Sequence, residues 1–470
     1  MNAWKKTICI FGLAGDPPGE HHRAIAQALA ATRKFDLIKV IPCGPRPDKN
    51  LVATPLQRAV MADFTFRGVA QNVEVDSSDL ERDEFTRTRE LQRLYEAEWE
   101  VWHVVGADLA RGGKSGNASI QKKWQHGLEL WRELRFVVTV GPGNALDLDD
   151  LPPHRLIAPI EKSGSSTEIR RRCMEGESIT GLVTPEVEAY IERHHLYQGQ
   201  QSSARTTLQL SDPRLLVVAD ERNPKALSVR EDLKEFEDVE NPNLIVSLGG
   251  DGTMFRTVHR EWRRRLPFLG LNMGHLGFLI NRVAEEGISY EFFRQGFEVL
   301  CSPLLRVEVT KGDDSQEVAL AVNDAWMQVE PGKTGLFELM VTNKDGVAHM
   351  RRIVGDGLLV ATAAGSSAYA YAMGAERVPI GTEVLVVVGS NIFSPPQWRR
   401  GVNVPLDSIV EIRNTDDSGW RKTLGFADNI SFGEVKAMRI GVSRIAAAEL
   451  VFLTGHEERR RVLLNQFPKT

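Results

Sequence analysis

The chain has few cysteines, no excess of charge of one sign and no long apolar run, and each shortage closes off a class of protein. Its four cysteines, Cys9, Cys43, Cys173 and Cys301, stand far apart with no CxxC pair. That spacing suits reduced thiols in a cytoplasmic protein and not a disulfide framework or a zinc site. Basic and acidic residues nearly balance, 58 against 63, for a formal net charge of −5. Such a balance supplies no field to draw nucleic acid or an anionic membrane. No apolar run approaches the ~18 residues of a membrane-spanning helix. The run that follows Lys5 and Lys6 breaks after Leu13 into glycine, proline and histidine, so no signal peptide is expected. What remains is a globular composition, 42% apolar and 26% charged, over 470 residues. At ~100–200 residues per domain, that length predicts two to four domains.

Strand and helix patterns alternate from the start. TICIF at 7–11, LIKVI at 37–41, VWHVV at 101–105 and FVVTV at 136–140 read as buried strands. Helices are predicted at Arg23–Thr32 and Trp124–Leu134. Strands alternating with helices indicate a parallel α/β sheet. The polar stretch 198–211, rich in Gln, Ser and Thr, is the expected linker. It separates a first domain, 1–197, from a second, 212–470. The second opens with LLVVA at 215–219 and LIVSL at 244–248, an α/β half over 212–300. Short strands between turns then predict a β-rich half over 301–455, followed by a charged tail at 457–469.

In the second domain, LIVSLGGDGTMF places Gly249-Gly250-Asp251-Gly252-Thr253 at the end of a buried strand. Glycines there let a backbone approach a phosphate closely, and Asp251 can orient a hydroxyl or hold Mg²⁺. A tight turn with a capping Asp has the same local sequence. Three further stretches follow in order: FLGLNMGHLGFLIN, then VNDAW at 322–326, then GDGLLVATAAGSSAYAYAMGA at 355–375. Together the four resemble NAD kinases over about 210–455. The resemblance implies an α/β half plus a β-sandwich half, which agrees with the strand pattern. It also implies roles. Gly249, Gly250, Gly252 and Thr253 would line the ATP phosphates, and Asp251 would take the proton of the NAD adenosine ribose 2′-hydroxyl. Phe278, Asn323, Asp324, Asp356, Ser367, Ala368 and Tyr369 would bind NAD. Asp324 stands where the family has Glu, and Ala363 and Ala364 stand where it has Pro and Thr.

In the first domain, ICIFGLAGDPPGEHHRAIAQAL runs strand, glycine turn, Asp-Pro-Pro, His-His, helix. It resembles the GG.FDPPH.GH signature of nicotinate or nicotinamide mononucleotide adenylyltransferases. KSGSSTEIRRR at 162–172 is similar to that family's second signature, ISST..R. The resemblance covers about 7–197 and implies a Rossmann-like nucleotidyltransferase domain. It assigns phosphate contacts to Gly12, His22, Ser165, Ser166, Thr167 and Arg170, with His22 as the catalytic member. Lys49, Asp108 and Trp124 would bind the mononucleotide, while Arg58 falls in another matching segment. The signature's first histidine falls on Gly19 and its glycine on His21. A core aromatic on an amphipathic helix is the plain alternative for Trp124. His103, His126, His194 and His195 match no metal-ligand spacing and are expected to be structural or solvent-facing.

Together the resemblances imply a bifunctional enzyme using ATP with Mg²⁺, NAD, and nicotinate or nicotinamide mononucleotide. The closing segment PEVEAYIERHHLY favours nicotinate. A homo-oligomer is expected, since NAD kinases commonly assemble through the β-rich half. Two other readings stay open: a kinase with a degenerate nucleotide-binding first domain, and a non-catalytic nucleotide sensor.

Overall fold

The computed structural model describes residues 5–142, 147–199, 205–274, 277–282, 288–396, 398 and 400–455. The tail expected at 457–469 lies outside them. The chain divides into two compact units, Met1–Ser202 and Ser203–Thr470.

The first unit runs β1 (Lys6–Leu13), α1 (Glu20–Ala31), β2 (Leu37–Pro42), α2 (Pro55–Phe66), β3 (Val73–Val75), α3 (Thr88–Tyr95), β4 (Trp99–Gly106), α4 (Ala107–Ala110), α5 (Ser119–Lys123), α6 (Gly127–Glu133), β5 (Arg135–Val140), β6 (Arg155–Pro159), α7 (Ser166–Glu175) and α8 (Pro185–Arg193). Its six strands are all parallel, in the order β3-β2-β1-β4-β5-β6. In such a doubly wound sheet the order reverses between β1 and β4, which leaves a crevice beyond their carboxyl ends. β1 is apolar on both faces, with Ile8, Cys9, Ile10 and Phe11 all buried, as a covered central parallel strand must be.

Of the helix expected over Trp124–Leu134, only Gly127–Glu133 is helical, as α6, and a turn separates it from α5. A Cβ on Gly127 would lie 2.1 Å from the Ile120 carbonyl oxygen. The chain therefore doubles back tightly there, with His126 in the left-handed region at φ 59°. Trp124 caps the end of α5.

The second unit runs β7 (Arg205–Leu208), β8 (Leu215–Ala219), α9 (Pro224–Asp232), β9 (Leu244–Gly249), α10 (Asp251–Glu261), β10 (Phe268–Asn272), β11 (Asn281–Arg282), α11 (Tyr290–Arg294), β12 (Phe297–Lys311), β13 (Gln316–Ala321), β14 (Asp324–Val329), β15 (Gly335–Thr342), β16 (Ala348–Gly355), β17 (Gly357–Ala361), α12 (Tyr369–Ala372), β18 (Val384–Ser390), β19 (Val402–Pro405), β20 (Ile409–Asn414), β21 (Thr423–Ala427) and β22 (Ile430–Leu453). β8, β9 and β10 form a parallel sheet. β10 also pairs in parallel with β11 and with the end of β22, and the remaining pairings are antiparallel. β21-β14-β17-β18-β19 makes one layer. Its Met327, Leu358 and Leu385 pack with Leu305, Val307 and Met438 of β12 and β22 in one buried core.

Two expected boundaries shift. Residues 205–208 of the linker pair with β12 as strand β7, and Leu208 and Leu210 are buried in the α/β core. The division at 300/301 is crossed by β12. It is crossed again by β22, whose Leu450 and Val451 return to pair with β10. The two halves share their longest strands, so no cut along the sequence separates them.

Candidate functional site

In the second unit, β9 ends on Gly249, and Gly250 caps α10, which begins at Asp251. A Cβ on Gly249 would sit 2.5 Å from Thr253 Oγ1, so the turn closes only around glycine. A helix N-terminus points backbone N–H groups along its axis, which suits the start of α10 to a phosphate. Arg256 donates to Thr253 Oγ1 at 3.1 Å and places a guanidinium on the same turn.

Asp251 ties this turn to the next loop. Its Oδ2 accepts from the Phe278 N–H at 2.8 Å and its Oδ1 from the Leu279 N–H at 2.9 Å. A carboxylate offers about four acceptor positions, so this bracing is compatible with accepting a substrate hydroxyl. Phe278 is half-buried, with the Arg377 guanidinium 5.0 Å from its ring.

Asn323 and Asp324 lie at the start of β14 and are held by a residue that sequence reasoning missed. Asp428, in the turn between β21 and β22, accepts three successive backbone N–H groups: Val322 at 2.7 Å, Asn323 at 2.8 Å and Asp324 at 3.1 Å. It also bonds His259 Nε2 at 2.5 Å, on the helix that Asp251 begins. Burial, and then the Asp428 charge, push the Asp324 carboxyl up to about 7. The Asn323 Oδ1 is buried without a hydrogen-bond partner. Such an orphan buried acceptor is costly unless a donor, such as one on a ligand, meets it.

The segment after β17 braces the same place. Thr362 Oγ1 donates to the Val322 carbonyl at 2.9 Å, and a Cβ on Gly365 would be 2.1 Å from the Asn323 carbonyl oxygen. Ser366 is a buried brace that donates to the Ala363 carbonyl at 2.7 Å. Ser367 is half-buried, Ala368 and Tyr369 are exposed, and the Tyr369 ring lies 5.7 Å from Trp326. Asp356 is not brought beside Asn323. It precedes Gly357, which pairs with Gln328, whereas Asp324 pairs with Ala361. That is a separation of roughly 13 Å or more along the strands. Asn391 donates to Asp356 Oδ2 at 2.6 Å.

In the first unit, a cleft of about 660 Å³ opens at the crevice between β1 and β4. Gly12, His22, Lys49, Asp108, Ser166, Thr167 and Arg170 line it. Seven sequence-predicted residues from five separate segments therefore meet at one place. Ser165 caps α7, its Oγ accepting from the Thr167 N–H at 3.2 Å, and Arg170 reaches back to the Asp16 carbonyl at 2.5 Å. Trp124 does not line the cleft; it packs half-buried on the core around Trp131. Arg58 is fully buried and donates to the Ala14 carbonyl at 2.8 Å, so it shapes the loop from beneath. Another missed residue is Asp16. It accepts from the Val52 and Ala53 N–H groups and from the Tyr197 hydroxyl at 2.8 Å. That last bond fastens the end of the segment after α8 to the cleft floor.

His22 lines the cleft. Its Nδ1 accepts from the Gly19 N–H at 3.1 Å, which leaves Nε2 to carry the proton in the neutral ring. Burial, then His21 and Lys49, push its pKa down to about 3, so the cleft holds it neutral.

A carboxylate at a glycine-flanked strand–helix turn, joined to a β-sandwich through shared strands, defines a nucleotide-binding protein of mixed α/β and β architecture. Comparison with known proteins finds NAD kinases, over a stretch that includes the glycine-rich turn at Asp251. The family described as "ATP-NAD kinase N-terminal domain" matches residues 182–288. The NAD kinase of Caulobacter vibrioides is 31% identical over 277 residues, 58% of this chain and 99% of that protein. That of Rickettsia prowazekii is 29% identical over 250 residues, 52% of this chain and 95% of that protein. The chain belongs to the NAD kinase family. Yeast NADH kinase complexed with NADH shows a weaker likeness, with TM-score 0.46 and 18% identity, over 57% of this chain and 93% of that one.

Proposed function

We propose that the chain is a bifunctional enzyme of NAD and NADP synthesis. The second unit phosphorylates NAD. The ribose 2′-oxygen attacks the γ-phosphorus of ATP, the bond to the β-phosphate oxygen breaks, ADP leaves, and the hydroxyl proton passes to Asp251. Mg²⁺ enters with ATP and offsets charge on the triphosphate. A ribose hydroxyl is a poor nucleophile, so positioning beside one carboxylate carries much of the rate. The observation that carries this reading is the linked frame Asp251–α10–His259–Asp428–Asn323, which holds the phosphate turn and an orphan acceptor in one arrangement.

The first unit transfers the adenylyl group of ATP to nicotinate or nicotinamide mononucleotide. The mononucleotide phosphate attacks the α-phosphorus in line and pyrophosphate leaves. His22 Nε2–H, Arg170 and the α7 N-terminus would meet the charge on the departing phosphates, and such charge stabilisation usually contributes most to catalysis of this kind. Lys49 and Asp108 would face the mononucleotide. Support comes from the gathering of these residues in one cleft at the sheet's switch point. Nicotinate is the proposed substrate, because a carboxylate takes a stronger charge-assisted bond than an amide. Gly19 favours a second reading, a unit that binds nucleotide without turnover.

Incubating the purified protein with ATP, Mg²⁺ and each of NAD, nicotinate mononucleotide and nicotinamide mononucleotide tests both halves. NADP from the first substrate and the deamido dinucleotide from the second are expected by mass. Absence of NADP would overturn the kinase assignment. Absence of any dinucleotide would leave the first unit as a binding module.

A further inference from the structure

The first signature of the cleft asks for two polar side chains three residues apart at the start of α1. His22 supplies the second, and Gly19, at the first position, has no side chain to supply. The volume beside Gly19 is nevertheless filled. A Cβ built there would lie 2.8 Å from His21 Nδ1, 2.8 Å from the Leu182 carbonyl oxygen and 2.9 Å from His21 Cε1. The imidazole of His21 and the Leu182 carbonyl together stand where the side chain of residue 19 would begin.

A second glycine makes room for it. A Cβ on Gly164 would lie 2.5 Å from His21 Nδ1, 2.8 Å from its Cγ and 3.0 Å from its Cβ. No larger residue fits unless the ring moves. Gly164 immediately precedes Ser165-Ser166-Thr167, at the position where the second signature carries isoleucine. Two departures in distant parts of the sequence thus meet at one imidazole. Bulk is removed at 19 and at 164, and His21 occupies the space between. Its ring centroid is 3.9 Å from that of His22, with the planes inclined at 40°. His22, Ser166 and Thr167 line the cleft, and His21 sits half-buried between the segments that carry them.

We propose that His21 takes over the role of the missing first histidine, so that the transposed sequence Gly19-Glu20-His21-His22 binds the phosphates of ATP with two adjacent imidazoles. This rests on reading the cleft as a nucleotide phosphate site. His21 donates one imidazole N–H to the terminal phosphates, His22 donates its Nε2–H, and Arg170 adds a fixed charge. A neutral imidazole presents an N–H in either tautomer. Burial lowers the His21 pKa, which favours that neutral form.

The test uses the full chain and titrates inorganic pyrophosphate and Mg-ATP by calorimetry, alongside adenylyl-transfer rates. His21→Ala removes the ring. His21→Phe keeps its bulk and aromatic contact but removes both nitrogens. Both variants are expected to weaken pyrophosphate binding on the order of 10–100-fold, the range for a charge-assisted hydrogen bond. They should lower kcat by a similar factor and leave KM for the mononucleotide unchanged. NAD phosphorylation by the second unit of the same sample reports that the chain is intact. His21→Phe binding pyrophosphate as the wild type does would overturn the proposal and reduce His21 to packing. A wild type that binds pyrophosphate but turns nothing over, with binding lost in both variants, would refute adenylyl transfer while sustaining the phosphate role of His21.

Discussion

Asp251 braces a loop and offers a base with the same carboxylate, so its replacement has two separable consequences. Asp251→Asn keeps the shape but puts an NH₂ opposite one of the Phe278 and Leu279 N–H groups. NADP formation is expected to fall by ~10²–10⁴, and the melting temperature to drop as one loop bond is lost. Steady-state assay and a thermal melt check both, and NADP formation near the wild-type rate would remove Asp251 from the chemistry. Adenylyl transfer in the same variant should be unchanged. Asp324 gives a pH signature. Its carboxyl is raised to about 7 by burial and Asp428, so the folded state holds a proton that the unfolded chain releases near pH 4. The stability it contributes is fully present below that lower value and is lost as pH rises through about 7. The slope is at most about 1.4 kcal/mol per pH unit. Urea midpoints measured from pH 5 to pH 8 should show this decline in the wild type and not in Asp324→Asn. Parallel curves would place the proton elsewhere. Motif spacing singled out both residues, but neither the second duty of Asp251 nor the environment of Asp324 could be read without the loops that fold against them.

Among elements, strands with apolar runs were legible and those without were not. β1, β2, β4, β5 and β9 lie inside their sheets and spell mostly apolar runs, as does β8 at the edge of its sheet. β3 and β6 lie at the two ends of the first sheet; β3 is only partly buried and β6 is mostly exposed, so no run marks them. The turn that carries Asp428 left no signal in the sequence either. Its role depends on α10 and β14, residues 259 and 322–324, arriving beside it. Asp428→Asn keeps one acceptor oxygen of two in a site where the side chain is 10% exposed. It is expected to cost about 1–3 kcal/mol of stability and to raise KM for NAD roughly tenfold, about 1.4 kcal/mol at the binding step. NAD titration together with urea denaturation reads both effects. Unchanged values would mean that the hydrogen bonds to residues 322–324 do not position the NAD-binding Asn323.

On the scale of the whole molecule, the two units invite dissection, and where the cut falls matters. A fragment beginning at 212 follows the polar composition, but it discards β7 and the buried Leu208 and Leu210. A fragment beginning at 203 keeps them. The shorter one is expected to be less stable by roughly 3 kcal/mol, the scale of two leucines returned to water, and to expose an edge of β12. Chemical denaturation of the two fragments, with NAD phosphorylation as the activity check, decides this; equal stability would return residues 205–210 to the linker. By itself, the sequence determined the two-part organisation, the parallel first sheet and the glycine-rich turns. Its motifs also named seven of the residues that line the cleft between β1 and β4. All of these depend on local periodicity and on short motifs whose spacing is kept along the chain. Only the tertiary structure decided that β12 and β22 join the halves of the second unit, and that Trp124 does not line the cleft between β1 and β4. It alone showed that Asp356 stands at the far end of β17, and that His21 fills the space left by Gly19 and Gly164. Those facts depend on contacts between segments tens to hundreds of residues apart, where neither propensity nor spacing carries a signal.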